Sequence, residues 1–211
     1  MKVNYNKLLA LFLYSILAGI CIGIGGLVYL SVDNKIVGSL LFAIGLLLVL
    51  INKFTLYTGV VSYVEFRITS FFTVVVVLIG NIVGAFTMGL IFHYTKPELV
   101  GKATELCLNK MEEEWSIIPL SIFCNILIFF AVDTWKKIKL DYSIRIVSVF
   151  LCVSVFILCG FEHSIANVFY FTYGGMLGLD AFLYLFANII FNGVGGIAVY
   201  NLVKFSRRAL T

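Results

Sequence analysis

The sequence predicts an all-α integral membrane protein: one domain over residues 1–211 with six transmembrane helices, the second and fifth interrupted. Three observations lead there. The chain is 62% hydrophobic and 12% charged, where soluble domains average about 45–50% apolar and about 25% charged. Its 211 residues suit roughly six spans of about 20–25 residues with short loops. Finally, an apolar run from Ile144 to about Phe171 carries Glu162, His163 and Asn167 near its middle, with Gly160 just before them. Ionisable groups at membrane depth are costly and usually face a bundle interior or a water-filled path. The glycine marks a helix break, which frees backbone groups that lipid cannot satisfy.

The first span runs from about Leu8 to Leu30, after a polar, basic start at Met1 to Lys7. Its apolar run is too long for a signal peptide, so a retained helix is expected. Gly19 and Gly23 share one face, a small-xxx-small packing surface. After a polar turn at Ser31 to Lys35, the second span begins at Ile36 and stays apolar to Leu50. It then meets Asn52-Lys53-Phe54-Thr55-Leu56-Tyr57-Thr58-Gly59, followed by Val60 to Val64, Glu65 and Arg67. Two readings stand: two half-spans around an irregular segment at Tyr57-Thr58-Gly59, or a helix ending at Ile51 with an interfacial loop. The third span, about Phe71 to Phe92, holds Asn81, whose plainer role is a hydrogen bond to a neighbouring helix.

His93 to Glu114 is polar, with Lys96, Lys102 and Lys110 among Glu98, Glu105, Glu112, Glu113 and Glu114. A solvated amphipathic helix is expected, and Trp115 marks an interface. The fourth span ends near Val132 and holds Asn125; a basic loop, Asp133 to Arg145, leads to the broken fifth span. The sixth covers about Leu177 to Val203 and contains Asn192-Gly193-Val194-Gly195-Gly196. The five cysteines show no CxxC spacing and suggest neither a disulfide framework nor a metal site.

Assigning both termini and the loops after spans two and four to one side gives that side eleven of the fifteen Lys/Arg. The positive-inside rule then puts both termini in the cytoplasm of a multi-pass cell-membrane protein. The halves also echo each other. Spans two and five are interrupted, and spans three and six both carry Asn-x-x-Gly, at Asn81/Gly84 and Asn192/Gly195. Interrupted segments in corresponding positions of inverted halves point to a transport site.

Gly160-Phe161-Glu162-His163-Ser164-Ile165-Ala166-Asn167 closely resembles the fifth-span signature of the formate/nitrite transporter family. Gly80-Asn81-Ile82-Val83-Gly84-Ala85 is similar to its third-span motif, and Cys124-Asn125-Ile126-Leu127 to its fourth. Leu56-Tyr57-Thr58-Gly59 resembles its second-span loop, with Tyr57 where Phe is usual. The sixth span departs most: the customary upstream Asn and the Pro are missing, and Phe191 replaces a usual Gly. The resemblance implies an aquaporin-like inverted repeat assembled as a homopentamer, each protomer with its own pore. It implies formate, nitrite or hydrosulfide, or their conjugate acids, as cargo. His163 would be the central histidine, Thr58 a polar pore residue and Lys110 a vestibule lysine. Tyr57, Phe161, Asn81, Asn125 and Asn192 complete the expected pathway set, with Glu162, Gly160 and Gly59 holding the breaks.

A bare anion cannot cross an apolar constriction, since burying an unpaired carboxylate costs tens of kcal/mol. Protonating an acid of pKa about 3.5 at neutral pH costs only about 4–5 kcal/mol, at about 1.36 per unit. Passage as the neutral acid is cheaper. His163 is the one expected pore group that titrates near neutrality. It either donates that proton, loaded as the anion enters, or only hydrogen-bonds while water supplies it. Glu162 is expected to bind backbone N–H groups freed at the break. Lys110 either attracts anions or is one more solvated charge. Asn125 and Asn192 read more plainly as packing hydrogen bonds. The competing class is a channel for small neutral solutes, but Pro97 and Pro119 do not form the Asn-Pro-Ala that such channels carry. A membrane enzyme lacks residues: there is no haem-type His pair, metal cluster or nucleophile–base spacing. No enzyme activity, cofactor, metal or nucleic-acid partner is expected; the partners are anions, protons, lipid and copies of the chain itself.

Overall fold

The computed structural model describes residues 5–64, 68–112, 115–137 and 139–210. Met1 to Asn4, Glu65, Arg67, Glu113 and Glu114, which figure in the sequence reading, lie outside the described residues. Nine α-helices are present among those residues: α1 (Tyr5–Ser31), α2 (Lys35–Ile51), α3 (Tyr57–Val60), α4 (Ile68–Thr95), α5 (Val100–Met111), α6 (Ile117–Lys136), α7 (Tyr142–Leu158), α8 (Ser164–Tyr173) and α9 (Leu179–Ala209). Four of these, α1, α4 (from Ser70), α6 and α9, are long and apolar enough to cross a membrane. α2 and α7 are apolar but shorter, at 17 residues each. Each is followed by a bend and a short helix.

Those two bends are built alike. At the end of α2, Lys53 adopts φ 56° and the Phe54 amide donates back to the Val49 carbonyl at 2.9 Å. At the end of α7, Gly160 adopts φ 68° and the Phe161 amide donates to the Phe156 carbonyl at 2.8 Å. This is the Schellman ending, in which a left-handed residue turns the chain and satisfies a helix's last carbonyls. An aromatic ring follows each corner and docks on a neighbouring helix. Phe54 meets Tyr14 edge-on at 5.6 Å, and Phe161 stacks on Phe123 at 5.7 Å. The interruption after α2 therefore falls at residues 52–56, not at Tyr57-Thr58-Gly59, which begin α3. Gly59 sits inside that short helix, where an added Cβ would make only an ordinary contact with Val132.

The contact pattern also repeats. α1 packs on α4 and on α2; α6 packs on α9 and on α7; α2 and α7 meet each other. The short segments cross over. α8 lies against α4 and α1, while α3 lies against α6 and α9 and the 3₁₀ turn Val61–Tyr63 against α9. The α1–α4 seam explains the glycines read there. A Cβ on Gly19 would strike the Asn81 carbonyl oxygen, and one on Gly84 the Ile16 carbonyl oxygen, so the backbones touch directly. Close approach of this kind supplies the dispersion contact that holds helices together where lipid is as apolar as Leu. Gly84→Leu should prevent the seam from closing; the expected result is loss of the monodisperse peak on gel filtration in mild detergent, with Gly101→Leu, which has open space, as the tolerated control.

Candidate functional site

The two irregular segments meet at one hydrogen bond. Thr58 Oγ1, on α3, lies 3.0 Å from His163 Nε2, at the N-cap of α8. Thr58 is fully buried and His163 is 2% exposed. The ring has its second nitrogen occupied: the Ala166 amide donates to His163 Nδ1 at 3.2 Å, the bond of a helix N-cap. A neutral ring with Nδ1 as acceptor carries its proton on Nε2, which then donates to Thr58. Buried apolar side chains lie beside the pair in sequence and in space. Leu56 is 3% exposed, and Phe156 stacks on the imidazole at 5.8 Å and meets Phe42 edge-on at 5.9 Å.

Two asparagines hold the segments that carry this pair. Asn81 accepts from the Tyr57 amide at 2.6 Å and donates to the carbonyls of Ser15 at 2.7 Å and Thr55 at 2.8 Å. Asn192 accepts from the Ser164 amide at 2.9 Å and donates to the carbonyls of Ser121 and Glu162, both at 2.8 Å. Each amide thus satisfies backbone at the end of a bend and at the start of the short helix after it, and fastens that corner to α1 or α6. A carboxamide suits this because it offers acceptor and donors in one plane. A bilayer core holds no water to bond freed backbone groups, and bonds of this kind take its place.

Glu162 is the charged centre beside the break. Its carboxylate accepts both contacts of Lys110 Nζ, at 2.8 and 2.7 Å, and one from Asn167 Nδ2 at 2.6 Å. The two side chains are only 13% and 3% exposed. Asn188 completes the network, accepting from Asn167 and donating to Ser121 Oγ and the Glu162 carbonyl at 2.8, 2.7 and 2.9 Å. The sequence expectation for Glu162 is therefore corrected: its carboxylate binds Lys110 and Asn167, and the freed backbone goes to the asparagines. Lys110 is likewise no solvated charge, because a buried carboxylate holds it.

A vestibule opens at each end of α2 and α7. The first has a volume of ≈ 430 Å³ and is lined by Lys110, Glu162, His163, Asn167, Phe161 and Tyr170 among others. It lies by the start of α2 and the end of α7, with Lys35 and Leu158 at its wall. The second, ≈ 650 Å³, lies by the end of α2 and the start of α7. Leu56, Lys53, Lys136 and Arg145 are among its lining residues. His163 lines the first of these, and Leu56 and Gly59, which flank Thr58 in the sequence, line the second.

The remaining sequence candidates fall elsewhere. Tyr57 lies outside both linings; its hydroxyl donates to the Ile189 carbonyl at 2.9 Å, across from Gly193. Asn125 is fully buried against Gly196 and Ser62, and neither amide atom has a hydrogen-bond partner among the described residues. Asn81 and Asn192 spend their amides on backbone. Sequence reasoning missed Leu56, Asn188 and Phe156. Asn188 carried a signal, since it is a lone amide one turn before Asn192 on the same helix face. Leu56 and Phe156 looked like any apolar residue.

Comparison with known proteins gives this geometry a family. The formate/nitrite transporter family model matches residues 1–206. The formate channel FocA of Haemophilus influenzae is 26% identical over 197 residues, covering 80% of this chain and 67% of its own. The nitrite transporter NirC of Escherichia coli is 22% identical over 187 residues, covering 79% and 69%. A solved pentameric formate channel with formate bound superposes with TM-score 0.82 at 24% identity, covering 99% of this chain and all of that one. A solved FNT family ion channel superposes with TM-score 0.79 at 20% identity, covering 96% and 92%. These relatives are channels and transporters, and none supports the neutral-solute alternative. With its match running nearly end to end, this chain belongs to the formate/nitrite transporter family of integral membrane transporters.

Proposed function

We propose that the chain passes small monovalent anions, formate, nitrite or hydrosulfide, as their conjugate weak acids through a pore in each protomer. The protomer is a six-span aquaporin-like inverted repeat, in which α2 with α3 and α7 with α8 count as one interrupted span each. Five copies assemble, as in the pentameric formate channel of similar fold. Both termini face the cytoplasm of the cell membrane, which puts the Lys110 vestibule outside.

The single observation carrying this reading is the buried Thr58–His163 bond, 3.0 Å long. His163 Nε2–H donates to Thr58, so the threonine's own hydroxyl hydrogen is the donor left for cargo. Protonating the ring would require Nδ1 to give up the Ala166 amide, which already fills its lone pair. This supports the second of the two histidine roles: the pair hydrogen-bonds the passing anion while water in the vestibule supplies the proton. Coupling to protons then follows from the cargo's own acid–base equilibrium. Lys110 and Phe161 stand at the entrance, and Asn81 and Asn192 hold the pore's shape.

Stopped-flow flux into liposomes tests this, comparing formate, nitrite, hydrosulfide and glycerol. The anions should enter faster as the external pH falls, about tenfold per unit while the neutral acid is a small fraction of the total. Glycerol should not enter above the protein-free rate. Glycerol flux matching that of formate would remove the reading.

A further inference from the structure

We infer that Tyr57 is a positioning residue for transport: its hydroxyl ties α3 to α9 and so keeps Thr58 in register with His163. The inference rests on the transport reading above and adds to it a residue that lines neither vestibule.

The two halves hold their members of the Thr58–His163 pair with unequal support. His163 caps α8, a helix of ten residues, and accepts from the Ala166 amide at 3.2 Å. Thr58 sits on α3, which has four residues and no side-chain hydrogen bond at its N-cap Leu56. The chain then passes into the 3₁₀ turn Val61–Tyr63, whose N-cap Val60 makes no side-chain bond either. A single helical turn fixes more dihedral angles than its own hydrogen bonds repay, so packing and ties from outside must hold it.

Tyr57 makes such ties in two directions. Its amide donates to Asn81 Oδ1 on α4 at 2.6 Å, and its hydroxyl donates to the Ile189 carbonyl on α9 at 2.9 Å. The residue is 5% exposed. A carbonyl has two lone pairs, so Ile189 can take the hydroxyl and still serve its own helix. Access to it depends on Gly193, one turn further along α9. A Cβ there would stand 3.0 Å from the Tyr57 hydroxyl oxygen. A phenylalanine at position 57 would fill the same space with no hydrogen to donate. The hydroxyl and the bare backbone at Gly193 thus form one joint. It lies one residue along the chain from Thr58, whose Oγ1 is 3.0 Å from His163 Nε2.

Tyr57→Phe keeps the ring and removes only the tie to α9. Maximal formate flux into liposomes should fall about two- to tenfold, the worth of one neutral hydrogen bond. Half-saturation and the pH profile should stay at their wild-type values. The double variant separates positioning from packing. Tyr57→Phe/Thr58→Val should be no slower than Thr58→Val alone, because a residue that acts through the threonine hydroxyl then has nothing left to position. Losses that multiply would make Tyr57 a plain packing residue and overturn the inference, as would wild-type flux in Tyr57→Phe. Gly193→Ala should slow the wild type but scarcely slow Tyr57→Phe, which lacks the oxygen that the new methyl strikes; equal slowing in both backgrounds also overturns it. The solid-state ¹⁵N signal of His163 Nε2 reads the same geometry without transport. In Tyr57→Phe it should move towards the value found in Thr58→Val, and an unmoved signal overturns the inference. If the wild-type protein passes no formate and the signal still moves, the transport reading fails while the positioning of Thr58 by Tyr57 stands.

Discussion

His163→Phe is expected to cut formate flux by about ten- to a hundredfold, the largest loss from any single pore substitution. A hydrogen bond to a charged group contributes about 1.5–3 kcal/mol, and each 1.36 kcal/mol is tenfold in rate. The phenyl ring removes the donor to Thr58 and the acceptor for the Ala166 amide together. His163→Asn separates the two roles, since asparagine is a favoured N-cap and retains an amide donor. It should transport more slowly than wild type but with the same pH profile. A shifted profile in the Asn variant would mean that the ring's own proton is consumed in transport, against the role assigned to it here. Full wild-type flux in His163→Phe would make the histidine structural.

The second large effect is expected at Lys110. The sequence reading leaves it either a charge that attracts anions or one more solvated charge. Its burial against Glu162 changes that expectation. Removing one partner of a buried pair leaves an uncompensated charge, at a cost of about 3–5 kcal/mol. Lys110→Met should therefore lower the melting temperature of the detergent-solubilised protein by many degrees. Adding Glu162→Gln should recover much of the loss, because the remaining amide can still accept from Asn167. If Lys110→Met melts like wild type, the ion pair is not a structural tie. If the double variant is no better than the single, the cost is not the orphaned carboxylate.

How much was legible follows from the range of each signal. The broken fifth span was readable because Gly160, Glu162 and His163 interrupt an apolar run within a few residues. Of the two readings open for the second span, the helix ending at Ile51 matches the end of α2, while the break at Tyr57-Thr58-Gly59 lies about one helical turn too late. The left-handed residue of that bend is Lys53, and nothing in a lysine advertises a positive φ, whereas the glycine at position 59 drew the break towards itself. Asn81 and Asn192 stood out as lone amides, but which backbone atoms they serve depends on partners up to 71 residues away. The Lys110–Glu162 pair spans 52 residues and crosses a polar segment with several lysines and glutamates to choose from. Charge count could not select among them; only the docking of α5 beside the fifth-span break does.

The two asparagine ties also bear on the order in which the chain is completed during synthesis. Every partner of Asn81 precedes it in sequence, and so does every partner of Asn192. The first tie can close as soon as α4 has entered the bilayer, before α6 is made. Until then the Tyr57 amide and Thr55 carbonyl have no such partner, and an insertion intermediate is exposed at that corner. The Thr58–His163 bond and the docking of α8 on α4 come later, because both join residues from opposite halves. Each half can thus fasten its own bend while the conduit between them does not yet exist. A nascent chain stopped after α4 should insert stably, and on the proposed function only the finished chain should pass an acid across the membrane.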